Sequence, residues 1–201
     1  MESLRTARFA FVDVETTGID PSRDRVVEVA VLVIEGGVER AVFSSLVDPE
    51  RPIPATASAI HHLTERETRG APKLAEVLPQ LRTLCADATL VAHNARFDLS
   101  FLPALRERPT ICSLRLATHV LPDAPAYGNQ VLRYHLGIPR EALGEATPHR
   151  ALADVRVTSL VFPRLVERYL AASGSDDLAA LIAFAAAPTQ REEARHSSAV
   201  A

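Results

Sequence analysis

The sequence predicts an α/β domain with a mixed central sheet, antiparallel at first and parallel afterwards, flanked by helices. Three observations carry that reading. Residues 8–47 contain three apolar, β-branched runs, the last two separated by the Gly36-Gly37 turn pair, which is the signature of an antiparallel meander. From residue 72 onward, segments with helical spacing alternate with short apolar runs, as in parallel strands joined by helices. A chain of 201 residues, 47% of them hydrophobic and 23% charged, is large enough for one sizeable core.

The elements follow in order. Residues 8–14 read as the first strand, Val26 to Ile34 as the second and Val38 to Val47 as the third. Asp48-Pro49 and the prolines at 52 and 54 mark a loop, followed by Ala59 to Thr64. Between Pro72 and Ala86, apolar residues at 74, 77, 78, 81, 84 and 85 give one helical face, with a kink expected at Pro79. Thr89 to Ala92 is a short buried strand, and helical spacing resumes from Ala95 to Glu107. Residues 110–114 read as a strand, 114–121 and 128–136 as short helices, and 139–148 as a loop. His149 opens the longest helical pattern, which runs through Tyr169 and is expected to kink at Pro163. Residues 1–172 then form the main domain, and 173–201 a C-terminal extension with a short Ala/Leu helix before a polar, disordered tail.

Charge and composition narrow the classes. A formal net charge of −3 argues against a broad basic surface that wraps long nucleic acid, though not against gripping a few nucleotides at an end. No run of about 18 apolar residues exists and the N-terminus lacks a signal-peptide core, so a soluble, cytoplasmic protein without membrane contact is expected. Cys85 and Cys112 lack metal-site spacing and read as reduced, buried thiols.

The first strand ends in Val12-Asp13-Val14-Glu15-Thr16-Thr17-Gly18, an apolar run that delivers two carboxylates to one face. Like charges held that close suggest a hard cation, Mg²⁺ or Mn²⁺, between them, although a solvated strand end explains these residues alone equally well. The remaining chain decides between the two. Asp98 lies on the first turns of a helix that follows a strand, and Asp154 begins the longest helix, with His149 five residues earlier. Four acids converging on one sheet edge repel one another and call for two divalent ions. Two ions about 3.5–4 Å apart suit a phosphodiester displacement and activate a water, whose proton His149 is placed to accept.

The ordered set Asp13-x-Glu15-Thr16-Thr17-Gly18, His93-Asn94-x-x-Phe97-Asp98 and His149-x-x-x-x-Asp154 resembles the three motifs of the DEDDh (DnaQ-like) 3′→5′ exonuclease family over roughly residues 8–170. The His in H-x-x-x-x-D form assigns the chain to the His branch. Within that branch, Ala59 to Thr64, Ile111 to Ala117 and Pro148 to Asp154 are most similar to the exonuclease X group. Similarity to polymerase III epsilon subunits and to ribonuclease T is more distant.

The resemblance implies a ribonuclease H-like fold and removal of nucleoside 5′-monophosphates from DNA 3′ ends, single-stranded or frayed, in repair, proofreading or end clean-up. It implies Asp13, Glu15 and Asp154 as direct metal ligands, Asp98 at a second metal partly through water, and His149 as general base. Thr16, Thr17, Gly18 and Ile19 align with the turn that meets the terminal nucleotide, with Ile19 as a wedge against the last base, and His61 and Phe97 belong to the same pocket.

His93 and Asn94 have two readings, substrate contact or a turn-closing cap. His61 likewise lines the pocket or bonds its own loop, and Arg96, Arg115, Arg150 and Arg156 touch phosphate or are solvated. Trimming of RNA 3′ ends by the same acids is the alternative activity, and a polymerase-bound accessory module, through the C-terminal tail, the alternative role. A homodimer is also compatible with the sequence.

Overall fold

The computed structural model describes residues 2–143 and 149–188. Strands β1 (Arg8–Thr16), β2 (Val26–Glu35) and β3 (Val38–Leu46) form the antiparallel meander. Strands β4 (Thr89–Ala92) and β5 (Thr110–Cys112) add to the other side of β1 in parallel, giving the order β3-β2-β1-β4-β5. This is the mixed sheet expected from the pattern.

Alternation along β1 sorts the core into two layers. Ala10, Val12 and Val14, with Val29, Val31 and Val33 of β2, face helix α3 (Leu74–Leu84) through Val77 and Leu81. Phe9 and Phe11, with Ala30 and Leu32, face helix α7 (Ala151–Ser173). There the Phe162 ring packs edge-on against Phe9 and Phe11, with centroids 5.1 and 5.7 Å apart. Helices α5 (Ser113–Val120) and α6 (Asn129–His135) pack against α7.

Several boundaries differ from the sequence reading. Residues 55–68, left without regular structure, form helices α1 (Ala55–His61) and α2 (Glu65–Thr68). Helix α1 ends where His62 turns left-handed (φ 60°), and α2 starts on a reciprocal Thr64–Glu67 capping box. Helix α4 (Ala95–Phe101) stops six residues short of the expected Glu107. Pro103 disfavours helical backbone at Leu102, and the chain continues as a single 3₁₀ turn, Pro103–Leu105.

Helix α3 runs through Pro79, and α7 runs unbroken through Pro163 to Ser173, where Gly174 takes the left-handed cap (φ 67°). Helix α8 (Leu178–Ala186) buries Leu178, Leu181 and Ala185 in the same cluster as Phe11 and Val155. Arg115 donates to the carbonyls of Ala185, Ala186 and Ala187 at its end. The expected loop at 139–148 contains a 3₁₀ turn, Arg140–Leu143. Residues 144–148 and the tail from 189 lie outside the described residues. No described helix is long and apolar enough to cross a membrane. Cys85 is a buried free thiol whose pKa burial pushes up to about 11, and Cys112 is free and half-buried.

Candidate active site

The face of β1 that carries Phe9 and Phe11 toward α7 changes character two residues later, where it carries Asp13 and Glu15. Asp154, on the first turn of α7, meets them from above. One carboxylate oxygen from each of Asp13, Glu15 and Asp154 lies within 4.8 Å of the other two, and all three side chains are part-exposed. Beyond Glu15 the β1–β2 ladder is irregular. Glu15 pairs with Glu28 and Thr16 with Val26, so Val27 is the extra residue of a bulge that ends the strand beside the acids.

Asp98, on the first turn of α4, is 2% exposed. Its Oδ1 accepts the Val14 N–H at 3.3 Å, past the end of the β1–β4 ladder, while Oδ2 is buried without a hydrogen-bond partner. His149 is exposed, holds a left-handed backbone (φ 58°) and lines one cleft with Asp13 and Asp154.

The four acids disfavour one another's charge. Burial is the largest influence on each, followed for Asp13, Glu15 and Asp154 by neighbouring charges. Asp13 is held well above the usual carboxylate range by burial and by Asp98, Asp154, Glu15 and Glu28. Glu15 is raised to about 8 by burial and then by Asp154 and Glu28. Asp98 reaches about 7 through burial, against the backbone hydrogen bonds it accepts, and Asp154 about 6, with His149 drawing it down. Three convergent carboxylates with raised affinities for positive charge, and a fourth with an orphaned oxygen behind them, fit divalent metal with oxygen ligands.

Two clefts meet at the acids. One, of about 310 Å³, is lined by Asp13, His93, Gly128, Asn129, Gln130, Val131, His149 and Asp154. The other, of about 480 Å³, is lined by Glu15, Thr16, Thr17, Gly18, Ile19, Thr56, Ala57, Ile60, His61 and Phe97. Thr16, Thr17, Gly18, Ile19, His61 and Phe97 are therefore gathered on one wall system. Ile19, 86% exposed, and the exposed Ile60 both line this cleft.

The Thr16 and Thr17 hydroxyls are used internally. Thr16 donates to the Gly18 carbonyl, while Thr17 donates to Asp24 and accepts the Arg25 N–H. His61 is buried, and its Nδ1 accepts the Leu63 N–H at 3.1 Å. Its Nε2 lacks a partner at hydrogen-bonding geometry, and burial lowers its pKa against the opposing pull of the Thr16 backbone.

His93 and Asn94 are placed differently. Nε2 of His93 donates to the Tyr127 carbonyl at 2.8 Å, and Nδ1 accepts from the Ser113 hydroxyl at 3.0 Å. Burial lowers the ring's pKa to about 4, which keeps it neutral and consistent with that tautomer. Asn94 is exposed and left-handed (φ 72°) at the start of α4, with no side-chain cap bond. Among the arginines, Arg150 is paired with Glu28 and Arg156 with Glu39, so neither is simply solvated.

Sequence reasoning missed four contributors: Glu28, Asn129, Thr56 and Ile60. Asn129 donates to the Thr158 hydroxyl at 2.9 Å and bridges α6 to the Asp154 turn, with its Oδ1 buried and unpartnered. The sequence signal for Glu28 is a lone acid inside an otherwise apolar strand. The other three carry none beyond proximity.

Fold and carboxylates together define an α/β nuclease of the ribonuclease H-like class with an acidic metal-binding group. Residues 10–162 match the RNase T family profile, described as an exonuclease, and the chain belongs to that exonuclease family. It is 28% identical over 174 residues to the DNA polymerase III subunit epsilon of Aquifex aeolicus, covering 83% of this chain and 84% of that protein. It is 36% identical over 168 residues to a DNA polymerase III subunit epsilon-like protein of Rhodobacter capsulatus, covering 79% of this chain but 23% of that protein. Against the PolC-type DNA polymerase III of Thermotoga maritima it covers 12% of the longer chain. Among solved structures, exonuclease X in complex with 5′ overhanging duplex DNA matches with a TM-score of 0.67 and 29% identity, over 83% of this chain and 93% of that one.

Proposed function

We propose that this exonuclease removes nucleoside 5′-monophosphates from DNA 3′ ends, single-stranded or frayed. The observation that carries the reading is the convergence of Asp13, Glu15 and Asp154 within 4.8 Å, with His149 in the same cleft and an apolar-rimmed cleft on the other side of Glu15. In this reading Asp13, Glu15 and Asp154 hold divalent ions, Mg²⁺ or Mn²⁺, and Asp98 serves the second position partly through water. Bound there, the ions would polarise the phosphodiester and acidify the attacking water.

The chain's own residues do the rest. His149 accepts the water's proton as the water oxygen bonds to phosphorus and the bond to the 3′-oxygen of the preceding nucleotide breaks. A 5′-monophosphate leaves, together with a strand one nucleotide shorter that carries a 3′-hydroxyl. Ile19, with Ile60 beyond it, presses on the terminal base while Gly18 and Thr17 shape the turn beneath. His93 acts as a strut that fixes β4 against α5 rather than as a substrate ligand.

The similarity to the DNA polymerase III subunit epsilon of Aquifex aeolicus supports a role beside a polymerase. The test is a gel time course on 5′-labelled single-stranded DNA and matched RNA in Mg²⁺, wild type beside His149→Ala. Ladders shortening from the 3′ end of DNA, slowed about 10²–10⁴-fold in the variant, are expected. Faster shortening of RNA would move the substrate to RNA, and no shortening of either would overturn the reading.

A further inference from the structure

Glu28, the third residue of β2, is 3% exposed and lies directly opposite Glu15 in the antiparallel ladder. Two carboxylates facing each other across one ladder pair repel, and both lie beside Asp13 and Asp154. Such a group is retained only if its own partners offset the repulsion.

Those partners come from 122 residues away. Arg150 clamps the carboxylate with both arms of its guanidinium, Nε to Oε2 at 2.9 Å and Nη2 to Oε1 at 2.6 Å. The Ala151 N–H donates to Oε2 at 3.0 Å. That amide is one of the unpaired donors of the first turn of α7, and Arg150, at the cap position, makes no side-chain cap bond to the helix. A strand residue thus caps α7 in place of a local Ser, Thr or Asp. The clamp grips the two residues after His149, whose left-handed backbone persists only where its surroundings hold it. It lies one turn before Asp154.

We propose that Glu28 is a positioning residue. Through Arg150 and the Ala151 amide it fixes the start of α7 on the sheet, so that His149 and Asp154 meet Asp13 and Glu15. Arg150 belongs to this clamp and is not a phosphate ligand. The inference rests on the hydrolytic reading above for its kinetic arm and on the fold alone for its exchange arm.

The experiment compares wild type, Glu28→Gln, Glu28→Ala, Arg150→Ala, Arg150→Lys and the Glu28→Gln/Arg150→Ala double variant, all as the full chain. Single-turnover and steady-state hydrolysis of 5′-labelled single-stranded DNA in Mg²⁺ is measured beside thermal unfolding. Each single variant is expected to lower kcat about 10–100-fold with KM changed less than about threefold, since a small displacement of reacting groups acts on the chemical step. Lysine, unable to form the fork, gives only partial rescue, and the double variant is no slower than the worse single, as for one shared unit.

Hydrogen exchange on the metal-free protein supplies the second arm. Glu28→Ala and Arg150→Ala are each expected to speed exchange at Ala151 about tenfold or more, with β4 and β5 unchanged. An increase in KM with intact kcat in Arg150→Ala would assign that arginine to phosphate and overturn the proposal, as would unchanged kcat and unchanged exchange. If wild type hydrolyses neither DNA nor RNA, the hydrolytic reading fails, and the exchange arm alone decides the clamp. If Glu28 variants fail to fold, the part-exposed Arg150 variants carry both arms.

Discussion

The two halves of β1 point side chains at the same helix and do opposite things. Phe9 and Phe11 bury rings against Phe162 of α7, whereas Asp13 and Glu15, two and four residues farther along the same face, meet Asp154 of that helix. The first half removes apolar surface from water and stabilises the pairing of sheet and helix. The second half gathers like charges where burial raises every pKa, and so weakens the same pairing. The difference explains how an unfavourable cluster persists: the aromatic half holds α7 in register and the acid half exploits that register.

Neutralising one acid breaks the comparison most sharply. Asp13→Asn keeps the shape of the side chain and removes its charge. Turnover is expected to fall at least ~10⁴-fold, above about 5 kcal/mol of barrier, in the gel assay. The melting temperature of the metal-free protein should nevertheless rise, because repulsion among the acids is relieved. A variant both inactive and less stable would show that Asp13 also supports the fold.

Phe11→Ala attacks the other half. Phe11 is among the largest fully enclosed side chains, so truncation is expected to cost about 3–5 kcal/mol in urea unfolding. Activity per folded molecule should stay within a few-fold of wild type at low temperature if the remaining contacts, Phe9 with Phe162 among them, still hold α7. Loss of activity in proportion to lost packing would show that register is far less redundant than the aromatic pairings suggest.

Proton linkage separates the halves without mutation. The folded pKa values of Glu15, Asp98 and Asp154, about 8, 7 and 6, lie above the ordinary 4.5, 3.8 and 3.8. The folded state therefore binds more protons than the unfolded state in this range. The linked stability is complete below about pH 4 and is lost as pH rises through about 8. Metal-free protein is expected to lose stability steadily across that window, and Mg²⁺ should restore much of it by binding only the folded state. A melting temperature that rises with pH in chelator would contradict the charge assignment.

The acids of the site were legible from their places at the ends of elements: Asp13 and Glu15 end a strand, and Asp98 and Asp154 open helices, positions that one chain order brings to one sheet edge. The meander was legible for a similar reason, since Gly36-Gly37 separates two β-branched runs. What escaped was set by distant partners. Glu28 reads locally as a slip in an apolar strand, and its meaning comes from Arg150 on the far side of the chain. The two readings of His93 divide on Ser113 and Tyr127, which the sequence places 20 and 34 residues away. Pro163 suggests a kink, and the helix continues through it to Ser173 with Phe162 beside it packed on Phe9 and Phe11. Thr64-x-x-Glu67 was a local capping signal that could have announced α2.

The smallest expected effect concerns how the acid half passes into the turn that carries Ile19. Gly18 has no Cβ, and one built there would lie 2.4 Å from the Asp24 Oδ2 and 2.8 Å from its Oδ1. That carboxylate is itself engaged, accepting the Thr17 hydroxyl at 3.2 Å and the Asp20 N–H at 3.0 Å. Gly18→Ala therefore forces Asp24 aside and loosens both bonds, while the short acid side chain can swing toward solvent and spare the backbone. A loss of about 1 kcal/mol is expected in unfolding, with a several-fold rise in KM for DNA as Ile19 shifts and little change in kcat, because Asp13 and Glu15 precede the turn. Asp24→Ala should reproduce the KM change and make Gly18→Ala nearly silent, since the clash has been removed and the bonds are already lost. If the two substitutions instead add, Gly18 acts through backbone freedom rather than through the seat it leaves for Asp24, and the turn's hold on Ile19 must lie elsewhere in residues 16–25.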